Sequence, residues 1–199
     1  MSKLLVLNGS VIPSEKSNSH EMARIFLEEY KQANPNDEII TLDLNKLIVG
    51  TKTLTTETFS TYWSDEEGMK YINQLKEIDK LLIIAPMYNF HVSGMLKNYI
   101  DHVALANQTF SYKYSTKGAS IGLLDKLKVQ ILATQGAPKG WYPWGDHVAY
   151  LKGTWEFLGA KVSDPILLAG VKVEPLGSQT PNQIVSTISE EIKKAAKAF

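Results

Sequence analysis

The turn Met87-Tyr88-Asn89-Phe90, which directly follows Pro86, combines two aromatic rings, one amide side chain and backbone N–H groups. A flat heteroaromatic ligand needs this mixture, because its faces require apolar contact and its edge requires hydrogen bonds. The same four residues would also suit an aromatic plug in the core. Pro86 ends the uninterrupted apolar run at residues 81–85, which is typical of a strand buried on both faces of a parallel sheet. Ligands of such sheets lie just beyond the carboxyl ends of the strands.

Small hydroxyl and amide residues form a second candidate site near the amino terminus. Ser10 follows the first predicted strand at residues 3–7, and Ser17-Asn18-Ser19 stands where the next helix should begin. Free N–H groups and the positive end of a helix dipole favour a phosphate there, although serine and asparagine are also ordinary helix caps. The chain lacks GxGxxG and GxxxxGK[ST], which argues against dinucleotide and P-loop sites. The pattern favours the terminal phosphate of a mononucleotide such as FMN.

A third segment, Thr134-Gln135-Gly136-Ala137, follows another apolar run. Gly136 would let the backbone approach a ligand closely, or would simply form a turn. Three such segments at the carboxyl ends of strands one, three and four predict one shared crevice. Trp141, Tyr142 and Trp144 follow in a loop rich in glycine and proline, where they would roof a pocket or pack at a subunit contact.

Alternating strand and helix patterns predict the scaffold that positions these segments. We expect strands at residues 3–7, 38–44, 81–85 and 128–134, with a fifth within 162–171. We expect helices at residues 20–33, 65–78, about 93–106, 146–158 and 181–198, and a long loop at 49–62. The last but one helix should end at Gly159, a left-handed cap position. The predicted fold is a single α/β domain spanning residues 1–199. It is a flavodoxin-like, doubly wound, five-stranded parallel sheet in the order 2-1-3-4-5, with helices on both faces.

Composition excludes several classes of function. The formal net charge is zero and Arg24 is the only arginine, so nucleic acid and membrane partners are not expected. The chain has no cysteine, and its four histidines are scattered, so we expect no metal site. GxSxG is missing as well, which argues against a serine hydrolase. No signal peptide or membrane span is apparent, and we expect a cytoplasmic protein.

Three motifs together resemble the FMN-dependent NADH-azoreductases of the flavodoxin-like quinone reductase group. They are P-M-Y-N-F at residues 86–90, L-K-N-Y-I-D at 96–101 and T-F-S-Y at 109–112. The resemblance implies bound FMN and NADH as electron donor. It places the FMN phosphate at Ser10, Ser17, Asn18 and Ser19. It places the flavin at Pro86, Met87, Tyr88, Asn89, Phe90, Thr134, Gln135, Gly136 and Ala137. Gln135 and Ala137 depart from the common S-R-G-G pattern of the third loop.

The resemblance also implies a two-electron reaction in two half-reactions at one site, from NADH through FMN to quinones or aromatic azo compounds. FMN carries the chemistry, so no side chain is named as catalytic. Phe110 falls where the family has an aromatic residue over the substrate pocket, often across a homodimer interface. Three alternatives stay open. They are a general quinone reductase with incidental azo activity, a flavodoxin-type electron carrier and a receiver-type signalling domain. The neutral charge disfavours the carrier, and asparagine, glycine and aromatic residues stand where a receiver needs aspartates.

Overall fold

A parallel β-sheet forms the centre of the protein in the computed structural model, which describes residues 1–64, 66–113 and 120–199. The strands are β1 (Lys3–Asn8), β2 (Glu38–Asp43), β3 (Lys80–Pro86), β4 (Phe110–Ser111), β5 (Ile121–Gly122), β6 (Lys128–Gln135), β7 (Lys161–Val162) and β8 (Ile166–Ala169). β4 and β5 form a separate antiparallel pair, which the sequence pattern did not predict.

The main sheet has the order β2-β1-β3-β6, and β7 and β8 both pair with β6 in the fifth position. All of these pairs are parallel, which confirms the predicted 2-1-3-4-5 arrangement. The fifth strand is divided at residues 163–165, where Pro165 lacks the N–H group that a ladder needs. Because the strands are parallel, the segments that follow β1, β3, β6 and β8 all lie at one edge of the sheet.

The sheet is buried on both faces, and its central strand β3 is apolar at nearly every position. In β3, Leu81, Ile83 and Ala85 pack into one core, whereas Leu82 and Ile84 pack into the other. Alternate side chains of a strand point to opposite faces, so this division follows from the strand geometry. The continuous apolar runs therefore mark central strands of a covered sheet, as the sequence predicted.

Helices cover both faces. They are α1 (Asn18–Ala33), α2 (Ile48–Thr51), α3 (Glu66–Glu77), α4 (Gly94–Val103), α5 (His147–Phe157), α6 (Pro181–Ser186) and α7 (Ser189–Ala198). α3, α4 and α5 contribute to the first core, and α1, α6 and α7 contribute to the second. α5 is followed by Gly159 with φ of 98°, as expected for a left-handed cap. None of the helices in the described ranges is long and apolar enough to cross a membrane.

Three segments differ from the sequence-based expectation. The segment at 49–62 is not a plain loop: α2 overlaps its start, and Tyr62 at its end is fully buried. The closing helix is divided into α6 and α7, because the hydroxyls of Ser186 and Thr187 bond back to the carbonyl oxygens of Gln183 and Ile184, each at 2.6 Å. Asp65, where we expected α3 to begin, lies outside the described residues.

Candidate functional site

The hydroxyl groups of Ser10, Ser17 and Ser19 form a buried chain at the start of α1. The Oγ atoms of Ser10 and Ser17 are 3.4 Å apart, and those of Ser17 and Ser19 are 3.0 Å apart. Ser17 caps the helix by accepting a hydrogen bond from the His20 N–H at 3.3 Å. The sequence left open a helix cap or a phosphate site, and the structure shows that the cap residue also belongs to a hydroxyl cluster.

The amino terminus of α1 keeps unused donors beside these hydroxyls. In the part of the chain that the structure describes, the N–H groups of Asn18 and Ser19 have no hydrogen-bond acceptor. The dipole of this 16-residue helix adds positive potential at the same place. Hydroxyls, free N–H groups and the dipole together favour a small anion.

A polar network fixes the loop that carries Ser10. The Ser10 N–H donates to Asn8 Oδ1 at 3.0 Å, and Asn45 Nδ2 donates to the Ser10 carbonyl oxygen at 2.9 Å. Asn8 Nδ2 and Asn45 Nδ2 also donate to Asp43 Oδ1. Burial opposes ionisation of Asp43, but these hydrogen bonds outweigh it and hold the pKa of this carboxyl below its ordinary value. The loop is therefore tied to the ends of β1 and β2 before any ligand binds.

The turn after β3 is a tight reversal closed by two backbone hydrogen bonds between Tyr88 and His91, of 2.7 and 3.0 Å. Asn89 has φ of 45° and Phe90 has φ of 72°. Two successive positive φ values match the hairpin turn that usually contains Asn-Gly. Asparagine tolerates this conformation, whereas phenylalanine is disfavoured there by about 1–2 kcal/mol. The turn is thus held in shape by its surroundings.

The surroundings of this turn are the aromatic residues of the loop between β6 and α5. The ring of Phe90 lies 5.0 Å from that of Tyr142 and 6.0 Å from that of Trp144, measured between centroids. Such aromatic pairs are worth about 0.5–1.5 kcal/mol each, which is comparable with the backbone cost at Phe90. Trp144 nevertheless remains 72% exposed. The rings of Phe90, Tyr142 and Trp144 therefore form an aromatic cluster at the surface. A pocket roof and a subunit contact both stay predictions for this loop.

Direct hydrogen bonds join the three predicted segments. The Val11 N–H donates to the Tyr88 hydroxyl at 3.2 Å, which links the loop after β1 to the turn after β3. The Met87 N–H donates to the Thr134 carbonyl oxygen at 2.7 Å, which links that turn to the end of β6. Pro86 and Thr134 also face each other in the sheet. The structure therefore brings the three segments to one edge, as their places after parallel strands predicted.

A cavity of about 310 Å³ lies at this edge. Its walls are Met87, Asn89, Phe90, Gly136, Ala137, Trp141, Tyr142, Lys172 and Val173. Five of these nine residues belong to the predicted segments, and Trp141 and Tyr142 belong to the predicted roof. Lys172 and Val173 were missed by the sequence reasoning. They follow β8, and the signal was present in the sequence, since a fifth parallel strand must end at the same edge.

Phe110 does not line this cavity. Its ring packs against Phe157, with 5.0 Å between centroids. Phe157 ends α5, and His147 begins it near the cavity. Eleven helical residues rise about 15 Å, so Phe110 lies toward the opposite end of α5 from the cavity. Within one chain, the residue predicted over the substrate pocket is therefore remote from it.

His147 lies behind the turn after β3 and is fully buried. Its Nε2 atom is 3.2 Å from the Ala85 carbonyl oxygen, whereas Nδ1 is buried without a partner. Burial lowers the pKa of His147, although Ala85 and Asp146 act in the opposite direction. Within the described ranges, no three histidine, cysteine, aspartate or glutamate side chains come close enough to hold a metal ion.

Comparisons with known proteins agree with this geometry. The chain is 85% identical over all 199 residues to FMN-dependent NADH:quinone oxidoreductase 1 of Mesoplasma florum, with full coverage of both chains. It is 56% identical, again over both full lengths, to the FMN-dependent NADH:quinone oxidoreductase of Mycoplasma mycoides subsp. mycoides SC. Among solved structures, an azoreductase from Bacillus anthracis str. Sterne superposes with a TM-score of 0.84 at 26% identity, with full coverage of both chains.

The model of the protein family described as having the flavodoxin-like fold matches residues 2–194. This range contains the whole sheet and all the segments that line the cavity. The topology observed here, β2-β1-β3-β6 followed by β7 and β8, agrees with that match. The chain therefore belongs to the flavodoxin-like fold family.

Proposed function

We propose that this protein is an FMN-dependent NADH:quinone oxidoreductase that also cleaves aromatic azo compounds. The observation that carries the proposal is the pairing of an anion cradle at α1 with a cavity of aromatic and amide walls at the same sheet edge. Two relatives that are 85% and 56% identical to this chain over their full lengths are named FMN-dependent NADH:quinone oxidoreductases. An azoreductase superposes over the whole chain.

The residues present fit FMN. A cavity of about 310 Å³ lies at the lower end of the range for small-molecule sites. The unused N–H groups of Asn18 and Ser19 and the hydroxyls of Ser17 and Ser19 would hold the phosphate. Met87 and Tyr142 would contact the faces of the ring, and Asn89 would contact its edge. When bound, FMN supplies the two-electron chemistry between NADH and the acceptor.

The protein's own contribution is binding, orientation and exclusion of water. Trp141 and Tyr142 line the cavity together with the hydrogen-bonded turn after β3, and these residues would shield a bound ligand from water. Among the nine lining residues, all within the described ranges, only Tyr142 and Lys172 carry ionisable groups. We assign neither as an obligate acid or base, and propose that water supplies the acceptor's protons.

We further propose a homodimer with its sites at the interface, working in the cytoplasm. Exposed aromatic residues beside the cavity support the dimer, because Trp141 and Trp144 are 60% and 72% exposed. The remote position of Phe110 within its own chain supports a role across that interface. Analytical ultracentrifugation should show a dimer. Phe110→Ala should raise the KM for quinones and leave FMN affinity unchanged, and a fully active monomer would contradict this proposal.

The visible spectrum of the purified protein, before and after anaerobic addition of NADH, tests the function. We expect a flavin spectrum that bleaches with NADH and returns when a quinone or an azo dye is added. A colourless protein that cannot be reconstituted with FMN would refute the proposal. A bound flavin that NADH does not reduce would favour an electron carrier instead. Relative turnover on quinones and azo dyes would rank the two acceptor classes.

A further inference from the structure

The backbone of Lys172 is hydrogen-bonded to the loop after β6, which forms part of the cavity wall. After β8, the Val171 N–H donates to the Gln135 carbonyl oxygen at 3.3 Å, and the Lys172 N–H donates to the Gly136 carbonyl oxygen at 3.0 Å. These bonds continue the pairing of β8 with β6 beyond the end of the sheet. Lys172 is therefore held beside the loop after β6 and does not belong to a detached surface segment.

The aliphatic stem of Lys172 lies directly over Gly136. A Cβ atom built on Gly136 would be 2.9 Å from Lys172 Cδ and 3.2 Å from its Cγ. Real Cβ atoms essentially never approach another atom within 3.0 Å, so the absence of a side chain at residue 136 leaves room for this stem. The missing side chain of Gly136 thus makes space for Lys172.

The charge of Lys172 is not neutralised within the described part of the chain. No carboxylate in those ranges lies within 4.0 Å of its ammonium group. The acid nearest in sequence, Glu174, instead accepts a hydrogen bond from the Ser178 hydroxyl at 3.0 Å. None of the other eight cavity residues is acidic or basic apart from the phenol of Tyr142. The wall of the cavity therefore carries one uncompensated positive charge.

The side chain of Gln135, in the same loop, does not share this role. Its Nε2 group donates to the Ala137 carbonyl oxygen at 2.9 Å, which keeps the amide within its own loop. An amide would in any case add no net charge. Lys172 is therefore the cationic side chain that a ligand in the cavity would meet.

From this arrangement we propose that Lys172 is a specificity-determining residue that selects aromatic acceptors carrying a sulfonate or carboxylate group. The proposal rests on the proposed function. The aromatic body of such an acceptor would contact Trp141, while its anionic group would pair with the ammonium at the rim. A charge on a flexible stem suits this task, because lysine keeps its head in water while its stem packs on apolar surface. Complementary charge of this kind chiefly sets specificity and the rate of encounter.

The test compares an anionic quinone with a neutral one, 1,2-naphthoquinone-4-sulfonate with 1,2-naphthoquinone, at saturating NADH. In Lys172→Gln holoenzyme, kcat/KM for the sulfonate should fall roughly two- to five-fold, the range for an exposed charge pair. The readout is the ratio of the sulfonate value to the neutral-quinone value, because a general effect of the substitution on the cavity changes both values alike. Added salt should remove the preference of the wild type, because exposed charges are screened. Lys172→Arg should restore most of the preference.

Lys161→Gln is the matched control, because Lys161 begins β7 at the opposite edge of the sheet and its loss changes the net charge equally. Lys161→Gln should leave the ratio of the kcat/KM values for the two quinones unchanged. A second readout is the binding of unreactive naphthalene-2-sulfonate to the oxidised holoenzyme, followed by tryptophan fluorescence. Lys172→Gln should weaken this binding and spare that of neutral naphthalene-2-carboxamide.

Two outcomes would overturn the proposal while leaving the oxidoreductase function intact. They are an unchanged ratio of the two kcat/KM values in Lys172→Gln, whether or not both values fall, and an FMN affinity that falls in this variant. The last would show that the lysine serves the cofactor. A wild-type protein that binds no FMN would instead refute the function itself.

Discussion

Replacement of Ser19 by alanine tests the anion cradle separately from the helix cap. The Ser19 hydroxyl is paired with the Ser17 hydroxyl at 3.0 Å and is buried, but it does not cap α1. Hydrogen bonds to a charged group are worth about 1.5–3 kcal/mol. Loss of the hydrogen bond from the Ser19 hydroxyl to the phosphate should therefore weaken FMN binding about 10- to 150-fold. The variant should lose only about 0.5–1.5 kcal/mol of unfolding free energy, the worth of one neutral hydrogen bond.

The assay is fluorescence titration of the FMN-free protein with FMN and, separately, with riboflavin. Riboflavin has the same ring but no phosphate, so its affinity should be nearly unchanged in Ser19→Ala. Ser17→Ala should lose FMN affinity similarly, and should also lose about 1 kcal/mol of stability because Ser17 caps α1. Thr180→Ala is the matched control, because Thr180 caps α6 outside the site. It should lower stability and spare FMN affinity.

Two results would refute the reasoning about the cradle. The first is an unchanged FMN affinity in Ser19→Ala, which would place the phosphate elsewhere. The second is an equal loss for FMN and riboflavin, which would show that the serine acts on the ring cavity or on the fold. Urea unfolding of each variant without FMN separates a loss of stability from a loss of binding.

Further predictions concern the turn, the glycine contact and pH. Asn89→Gly keeps a residue that tolerates φ of 45° but removes the amide, so FMN affinity should fall while urea unfolding stays within about 1 kcal/mol; unchanged affinity would exclude Asn89 from the site. Gly136→Ala places a Cβ against the Lys172 stem, so it should reduce the sulfonate preference as Lys172→Gln does; a retained preference would contradict the contact. Burial lowers the pKa of His147, because the folded protein favours the neutral ring. The contribution of the neutral ring to stability is therefore full above about pH 6.5, the ordinary histidine pKa, and is lost as pH falls through the folded pKa. Wild-type unfolding free energy should therefore decline below that pH, and less steeply in His147→Gln. Burial lowers the pKa of His20 in the same way, so part of the slope should remain; equal slopes would exclude His147 as a cause.

The sequence by itself determined the scaffold and the edge of the sheet at which the three predicted segments meet. Apolar runs such as residues 81–85 have the length of a strand and no polar face, so they can only be central strands of a covered sheet. Parallel strands then require that Ser10, Met87 and Gly136 meet at one edge, because each follows the carboxyl end of its strand. Neither step needs a knowledge of side-chain packing, which is why both were predicted.

The sequence pattern did not predict two local features, the division of the closing helix and the short helix α2. The division of the closing helix depends on hydroxyls that bond back to the carbonyl oxygens of the preceding turn. The short helix α2 is tied to α4, where Asn98 Nδ2 donates to the Gly50 carbonyl oxygen at 2.9 Å. Helical propensity and periodicity describe neither effect, because both arise from contacts that a pattern of apolar residues does not encode.

Only the tertiary structure decided what surrounds the cavity. The pairing of Gln135 with Ala169 across β6 and β8 sets the register that places Lys172 over Gly136, 36 positions away in the chain. Contacts between other elements hold Phe90, in a left-handed conformation, against Tyr142. They also place Phe110 against Phe157, remote from the cavity of its own chain. The register of the strands and the packing between elements depend on many contacts between residues that are far apart in the chain. The residue types therefore predicted which loops meet, and the folded chain alone determined which side chains face one another there.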